Sequence, residues 1–360
     1  MKPYILLTPG PLTTSQSVKE KMLTDWCTWD DDYNIDIVQN IRERLVALAT
    51  PKIDQYTSVL LQGSGTYSVE ATITCSVSKK DRLLILTNGV YGDRMADIAR
   101  YAGLNYEIMS FEQTEQLSAS RLDHFLQSRK DITHVAFVHC ETTSGILNPL
   151  ADLCKVVKIH NKILIVDAMS SFGGIPFDIE EMDIDFMISS ANKCIEGVPG
   201  FAFIIAKREQ MERCKGNSLS LSLDIYDQWK TMEDHPGKWR FTSPTHTVRA
   251  FKQALDELDA EGGVYARYER YSNNQKLLAE GMERLGYRAL LPQNVQSPVI
   301  SSFEYPSEDF SFRDFYAKLK DAGFVIYPGK ISKKDTFRIG TIGRVYPNDI
   351  QNLITIISTW

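Results

Sequence analysis

Residues 162–207 read KILIVDAMSSFGGIPFDIEEMDIDFMISSANKCIEGVPGFAFIIAK, and three strands can be read in them. KILIVDA is an unbroken apolar run that ends on Asp167, DFMISS is a second run that leads to Asn192-Lys193, and FAFIIAK is a third behind a loop containing Gly197, Pro199 and Gly200. Strands without polar alternation are buried on both faces, which is the habit of a mostly parallel sheet covered by helices. In such sheets the ligand crevice lies beyond the carboxyl ends of the strands, so Asp167 and Lys193 are placed where they can meet in space. A lysine in a partly dry pocket loses proton affinity and becomes an amine nucleophile. A buried aspartate beside it suits a protonated ring nitrogen. On these two residues alone, an Asp–Lys ion pair closing a sheet edge is the better explanation of the pattern.

Upstream, the same strand–turn–helix grammar repeats. SVLLQGSGTYSVEA places Gly63-Ser64-Gly65-Thr66 between a strand and a helix. Glycines there let backbone N–H groups close on a phosphate and Ser64 and Thr66 add hydroxyls, although a plain helix cap has the same composition. The segment is neither GxGxxG nor a nucleotide P-loop. Tyr91 in NGVYGDRM either lies flat on a planar ring or packs on its own helix. HVAFVHCETTSG brings His139, Glu141, Thr142 and Thr143 to another strand end, where His139 is either catalytic or orients a loop. TWDDDYN (28–34) reads as a polar loop with three aspartates, at least two of them in a solvated helix cap. LLTPGPL near the start is a proline-stiffened extended segment expected to lie across another part of the molecule or a partner.

Downstream, KWRFTSPTHT gathers Trp239, Arg240, Thr242, Ser243 and Thr245 around Pro244, either as an anion site or as a capping turn for the helix that follows. From about residue 255 the order strand, helix, strand, helix describes a second unit. Its Arg338, in TFRIG, has the planar fork that suits a carboxylate or phosphonate, or else forms a structural salt bridge.

The chain has 360 residues, 43% of them apolar and 24% charged, the proportions of an ordinary globule. That length favours one large and one smaller domain. The expected division is a large domain over 1–254 and a small α+β domain over 255–360, with segment 1–15 packing on the small domain or a partner. A net charge of −6 argues against a nucleic-acid or anionic-membrane surface. Six scattered cysteines show neither metal-ligand spacing nor a disulfide framework. Pro3, Pro9 and Pro11 break the N-terminus before a signal-peptide core forms. These features lead to the expectation of a cytoplasmic protein without bound metal.

An anion cradle, an aromatic, a strand-end Asp, a strand-end Lys and an Arg on a second unit together make up the parts of a pyridoxal phosphate site. The chain resembles the 2-aminoethylphosphonate–pyruvate aminotransferase family, within the broader alanine–glyoxylate/serine–pyruvate group. The likeness runs nearly end to end, through LLTPGPL, TWDDDYN, LLQGSGTYSVEA, NGVYGDRM, HCETTSGILNP, VDAMSSFGGIPFDI, SSANKCIEGVPGFAF, KWRFTSPTHT, GFVIYPGK and FRIGTIG. It implies the pyridoxal-phosphate-dependent transferase fold type I, an aspartate-aminotransferase-like α/β architecture with a mostly parallel sheet and a small C-terminal α+β domain.

The resemblance further implies that Lys193 bonds the cofactor aldehyde and that Asp167 partners its ring nitrogen. Ser64, Gly65 and Thr66 take the phosphate, Tyr91 the ring face and Thr142 the ring-oxygen side, with Asn192 beside the lysine. Thr242 resembles a threonine that reaches the phosphate from a neighbouring subunit, which implies a homodimer with shared sites, and Arg338 aligns with the arginine for the substrate's acidic group. Pro236 before Gly237 departs from the family's pattern and leaves the geometry of that loop open. The expected reaction takes the amine of 2-aminoethylphosphonate to pyruvate and yields phosphonoacetaldehyde and L-alanine. Three alternatives remain. One is an alanine–glyoxylate or serine–pyruvate transaminase on the same scaffold. Another is a nicotinamide-dependent oxidoreductase, disfavoured by the missing GxGxxG, and the third is a cofactor-binding regulatory protein.

Overall fold

The computed structural model describes residues 4–329, 331 and 334–360; Pro3 and Lys330, the last residue of GFVIYPGK, lie outside that set. In chain order the strands are β1 (Ile5–Leu6), β2 (Tyr56–Gln62), β3 (Leu83–Thr87), β4 (Tyr106–Ser110), β5 (His134–Val138), β6 (Cys140–Glu141) and β7 (Ile146–Leu147). There follow β8 (Ile163–Asp167), β9 (Phe186–Ser190), β10 (Phe201–Lys207), β11 (Ile300–Glu304), β12 (Phe324–Val325), β13 (Tyr327–Pro328) and β14 (Thr336–Gly340).

Seven of them build the central sheet, in the order β2-β10-β9-β8-β5-β3-β4. All of its pairings are parallel except those of β10, which runs antiparallel to both β9 and β2. The apolar runs explain this arrangement. Every residue of β3, β5 and β9 is buried, so both faces need helical cover, and crossover helices supply it. Register then fixes the chemistry: Val138 pairs with Asp167, Asp167 with Ile188, and Ser190 with Ala202, while Gln62 faces Phe201. The ends of β2, β5, β8 and β9 therefore lie along one edge. The segments that follow them, 63–66, 139–142, 168–170 and 191–193, emerge side by side.

Local signals set the helix boundaries. Ser15, Ser118, Asp224 and Ser311 each cap a helix by accepting a backbone N–H. Helix Thr245–Glu261 stops at Gly262, whose φ of +107° is left-handed. One reading from sequence needs revision. TWDDDYN is a loop only as far as Asp30; from Asp31 the backbone is helical, and it widens into π-turns over Asn34–Gln39 before helix Asn40–Ala49. Asp30, Asp31 and Asp32 are exposed, as a solvated cap requires, while Tyr33 is buried and bonds Ser243 Oγ at 2.7 Å. Gly237 answers the question raised by Pro236: a Cβ there would stand 1.8 Å from the Asn34 carbonyl oxygen, so the loop needs glycine at that point.

The C-terminal residues form a three-stranded sheet, β11-β14-β13, around Phe303, Phe315 and Phe337. Full burial of an aromatic such as Phe337 contributes about 1.5–3 kcal/mol. Segment 4–13 crosses between the two regions. β1 pairs with β12, Leu7 accepts from Gly340 N, and the chain then turns toward the edge of the central sheet.

Candidate active site

A cavity of about 200 Å³ opens at that edge, with Asp167, Lys193, Asn192, Ser64, Thr66 and Tyr91 on its walls. Gly65, Arg94, Thr142 and Met169 complete much of the lining.

The cradle comes from the start of helix Gly65–Ser76. Ser64 sits in the cap position with extended backbone, yet its hydroxyl makes no capping bond, so it and the N–H groups of Gly65 and Thr66 remain available toward the cavity, while Tyr67 N donates to the Ser64 carbonyl at 3.0 Å. Gly65 lets the turn come close: a Cβ there would approach Met169 Sδ and Cε to 2.4 Å, so the end of that side chain would have to move. The helix start thereby presses against the turn that follows Asp167.

Asp167 is 5% exposed and accepts a hydrogen bond from Met169 N at 2.8 Å through Oδ1. Burial pushes its carboxyl up to about 6, with the Glu141 charge adding to the shift and the Met169 bond, Lys193 and Arg94 opposing it. Lys193 moves the other way, since burial lowers its ammonium below the usual lysine range against nearby Tyr91 and Asp167. Its Nζ donates to the Pro9 carbonyl at 2.6 Å, so the N-terminal segment closes over the amine. Gly10 makes this possible. Its φ is +127°, and a Cβ would lie 2.7 Å from Nζ.

The loop that presents Lys193 is braced from behind. Glu196, at φ +65°, accepts from Tyr271 Oη at 2.6 Å and from Arg270 Nη2 at 2.7 Å. Arg267 Nη1 donates to the Cys194 carbonyl at 2.8 Å, and Glu261 pairs with both arginines. Arg270 Nη1 also donates to the Gly343 carbonyl at 2.6 Å, which ties the lysine loop to the segment after β14.

Tyr91 is oriented by a buried carboxylate. Glu141 Oε2 accepts from Tyr91 N at 3.2 Å and Gly92 N at 3.3 Å, and Oε1 accepts from Thr143 N and Oγ1. An anion at the start of helix Val90–Tyr101 is favoured by the open N–H groups and the helix dipole. Gly89 leaves room for it, because a Cβ there would meet Glu141 Cδ at 2.6 Å.

Arg338 stands just behind the cavity wall. It is 2% exposed, donating from Nε to the Pro328 carbonyl at 3.0 Å and from Nη1 to the Thr142 carbonyl at 2.9 Å. Among the described residues no carboxylate lies within ion-pair distance of it, so the salt-bridge alternative is not what the structure shows there. Burial lowers its pKa, with Tyr91, Tyr327 and Glu141 opposing.

Two residues read from sequence lie elsewhere. Thr242 is exposed in a surface groove with Gly63, Tyr67 and Phe241, beside the cradle but outside the cavity. Of the other polar groups of its loop, Ser243 bonds Tyr33 and Arg240 bonds the Leu221 carbonyl and Asp227, while the buried Trp239 Nε1 has no hydrogen-bond partner among the described residues. His139 does not line the cavity. It packs edge-on against Phe177 at 5.3 Å, and burial lowers its imidazole to about 3.

Sequence reasoning passed over Arg94, the Pro9 carbonyl and the clamping role of Glu141. The first is a helical position one turn past Tyr91, the second a backbone atom, and the third depends on a contact made 50 residues away in sequence. Among the described residues no cluster of His, Cys, Asp and Glu could hold a metal, and no helix is long and apolar enough to cross a membrane.

An uncapped helix start, an aromatic wall, a buried carboxyl near neutral and a depressed lysine suit, in that order, a phosphate, a flat ring, a ring nitrogen and an aldehyde. The residues present therefore fit pyridoxal phosphate. Comparison with known proteins agrees. The sequence pattern described as Aminotransferase class-V matches residues 32–340. A 2-aminoethylphosphonate–pyruvate transaminase of Phocaeicola vulgatus is 64% identical, covering 100% of this chain and 99% of that protein. A second, of Vibrio cholerae, is 58% identical over 98% of this chain and 96% of its own length. Among solved structures, pyridoxamine–pyruvate aminotransferase of Mesorhizobium loti superposes with a TM-score of 0.89 at 22% identity, over 100% of this chain and 92% of that one. A Thermus thermophilus aspartate aminotransferase gives 0.88 at 21% identity, with 98% of each chain covered. These neighbours share the fold-type-I architecture. The chain belongs to the class V aminotransferases, a family of pyridoxal-phosphate-dependent enzymes.

Proposed function

We propose that the chain transfers the amino group of 2-aminoethylphosphonate to pyruvate, yielding phosphonoacetaldehyde and L-alanine. The observation that carries the reading is the convergence of Lys193, Asp167 and the Ser64–Thr66 cradle on one cavity, in a chain 64% identical to a transaminase with those substrates. Pyridoxal phosphate, when bound, supplies a carbonyl for the amine and a ring that takes up the electrons of the carbon–hydrogen bond being broken.

The protein's groups do the rest. Lys193, uncharged when its ammonium is desolvated, is the base that takes the proton from the donor's amine-bearing carbon and returns it elsewhere. Asp167, ionised once a cation faces it, keeps a ring nitrogen protonated. Ser64, Gly65 and Thr66 hold the phosphate, Tyr91 and Thr142 flank the ring, and Asn192 lies beside the amine. Arg338, with two nitrogens already fixed on carbonyls, presents a preset guanidinium to the phosphonate and, in the second half of the reaction, to the pyruvate carboxylate.

A second copy of the chain is part of this reading. Thr242 shares a groove with exposed Tyr67 and Phe241, an apolar surface suited to a homodimer. From there it would reach the partner's cradle. The division into 1–254 and 255–360 assigns cofactor binding to the first part and Arg338 to the second; its boundary falls inside helix Thr245–Glu261. Six unpaired cysteines accord with a cytoplasmic setting.

Purified protein incubated with 2-aminoethylphosphonate and pyruvate should form alanine and phosphonoacetaldehyde in equal amounts. Alanine formation from serine, or glycine formation from alanine and glyoxylate, with none from the phosphonate, would move the enzyme to the alanine–glyoxylate/serine–pyruvate group.

A further inference from the structure

We infer that Arg94 is part of the phosphate cradle and supplies the positive charge that the Ser64–Thr66 helix start lacks. The inference rests on the cofactor reading above and adds a residue to it. Arg94 lies one turn beyond Tyr91 on helix Val90–Tyr101, is half-buried and lines the cavity. Its Nη1 donates to Thr66 Oγ1 at 3.0 Å, which fixes the guanidinium at the cradle hydroxyl. Its Cζ lies 4.9 Å from the Tyr91 ring centroid, so the ring that flanks the cavity also steadies the cation.

The charges around the cavity require such a group. Asp167 lines it and the buried Glu141 carboxyl lies close behind, so a phosphate dianion enters a region already supplied with acids. The other basic side chain on the wall, Lys193, has its amine held at the Pro9 carbonyl and its ammonium lowered by burial, so it is not a free counter-charge. Among the described residues no carboxylate lies within ion-pair distance of Arg94, and its neighbour Asp93 is turned to Thr87 Oγ1 at 2.8 Å. A guanidinium oriented by a hydroxyl and a ring, without an acid of its own, matches two phosphate oxygens at once.

The test is titration of cofactor-free protein with pyridoxal 5'-phosphate and with pyridoxal, followed by the absorbance of the bound aldehyde. The ratio of the two affinities isolates the phosphate. In Arg94→Met that ratio should fall about 10- to 100-fold, the range for losing a charge-assisted hydrogen-bonded partner. Arg94→Lys, which keeps the charge without the fork and preserves folding, should fall between. An unchanged ratio in Arg94→Met overturns the inference, either with a raised KM for 2-aminoethylphosphonate, which would place the guanidinium on the substrate, or without one, which would leave it packing on Tyr91. Failure of the wild-type protein to bind either aldehyde would instead overturn the cofactor reading itself.

Discussion

Lys193 and Glu196 stand three residues apart on one loop, yet they belong to opposite electrostatic designs. Behind the loop, Glu196, Arg267, Arg270 and Glu261 satisfy one another: burial works against the charge of Arg270, but Glu261 and Glu196 more than offset it and raise its pKa, and Glu261 is lowered in turn. In front, Lys193 and Arg338 are lowered and Asp167 is raised, because burial leads each shift and no opposite charge pairs with them closely enough to cancel it. Paired buried charges fix a geometry, whereas unpaired ones store a demand that a ligand can meet. The difference separates a brace from a site more clearly than burial does, since both groups are buried.

The comparison can be broken by exchanging the two phenotypes. Lys193→Ala should lower transamination by about 10²- to 10⁴-fold, having removed the base, while thermal stability holds or rises with loss of a desolvated amine. Glu196→Gln should do the reverse, costing about 1–3 kcal/mol of stability by removing one of the two carboxylates that hold Arg270 and leaving only Glu261. Turnover per folded molecule should fall far less, as read by denaturation and by alanine formation on the same samples. Arg338→Ala comes next: cofactor binding should persist while kcat/KM for 2-aminoethylphosphonate drops by about 10- to 100-fold, and Arg338→Lys should restore little because the fork is lost.

Asp167 sharpens the comparison through pH. In the cofactor-free protein its carboxyl holds a proton to about 6, whereas in the unfolded chain it gives the proton up near the ordinary aspartate value. The folded state therefore binds more protons across that window. Its stability is full at the acidic end and declines by about 3 kcal/mol as pH rises from about 4 to 6, then levels. Asp167→Asn should lack that decline, and the difference between the two denaturation series isolates it. The smallest effect belongs to Thr242→Ala, which should weaken cofactor retention about tenfold, as expected for one lost bond to a charged phosphate, without altering a monomer's stability.

Much of this molecule was legible in its sequence because the decisive features are local. Apolar runs such as ILIVD and FMISS define fully buried strands, and the small residues of GSGT mark a helix start that must open toward something. Asp167 and Lys193 were found because a parallel sheet places strand ends together whatever lies between them. What was missed depends on packing between distant segments. Arg94 on its own is a polar position on an amphipathic helix, and only the approach of that helix to Thr66 gives it meaning. The Pro9 carbonyl has no side-chain signature, and Glu196 reads as a loop acid until Arg267 and Arg270 arrive from a helix some 70 residues later. Thr242 was read as facing a neighbouring subunit; in the single chain it is exposed and stands outside the cavity.

The most direct test of the central claim is borohydride reduction of the cofactor-loaded protein, followed by peptide mapping. The account expects one modified peptide, carrying the pyridoxyl group on Lys193. A label on any other lysine, or none, would contradict it.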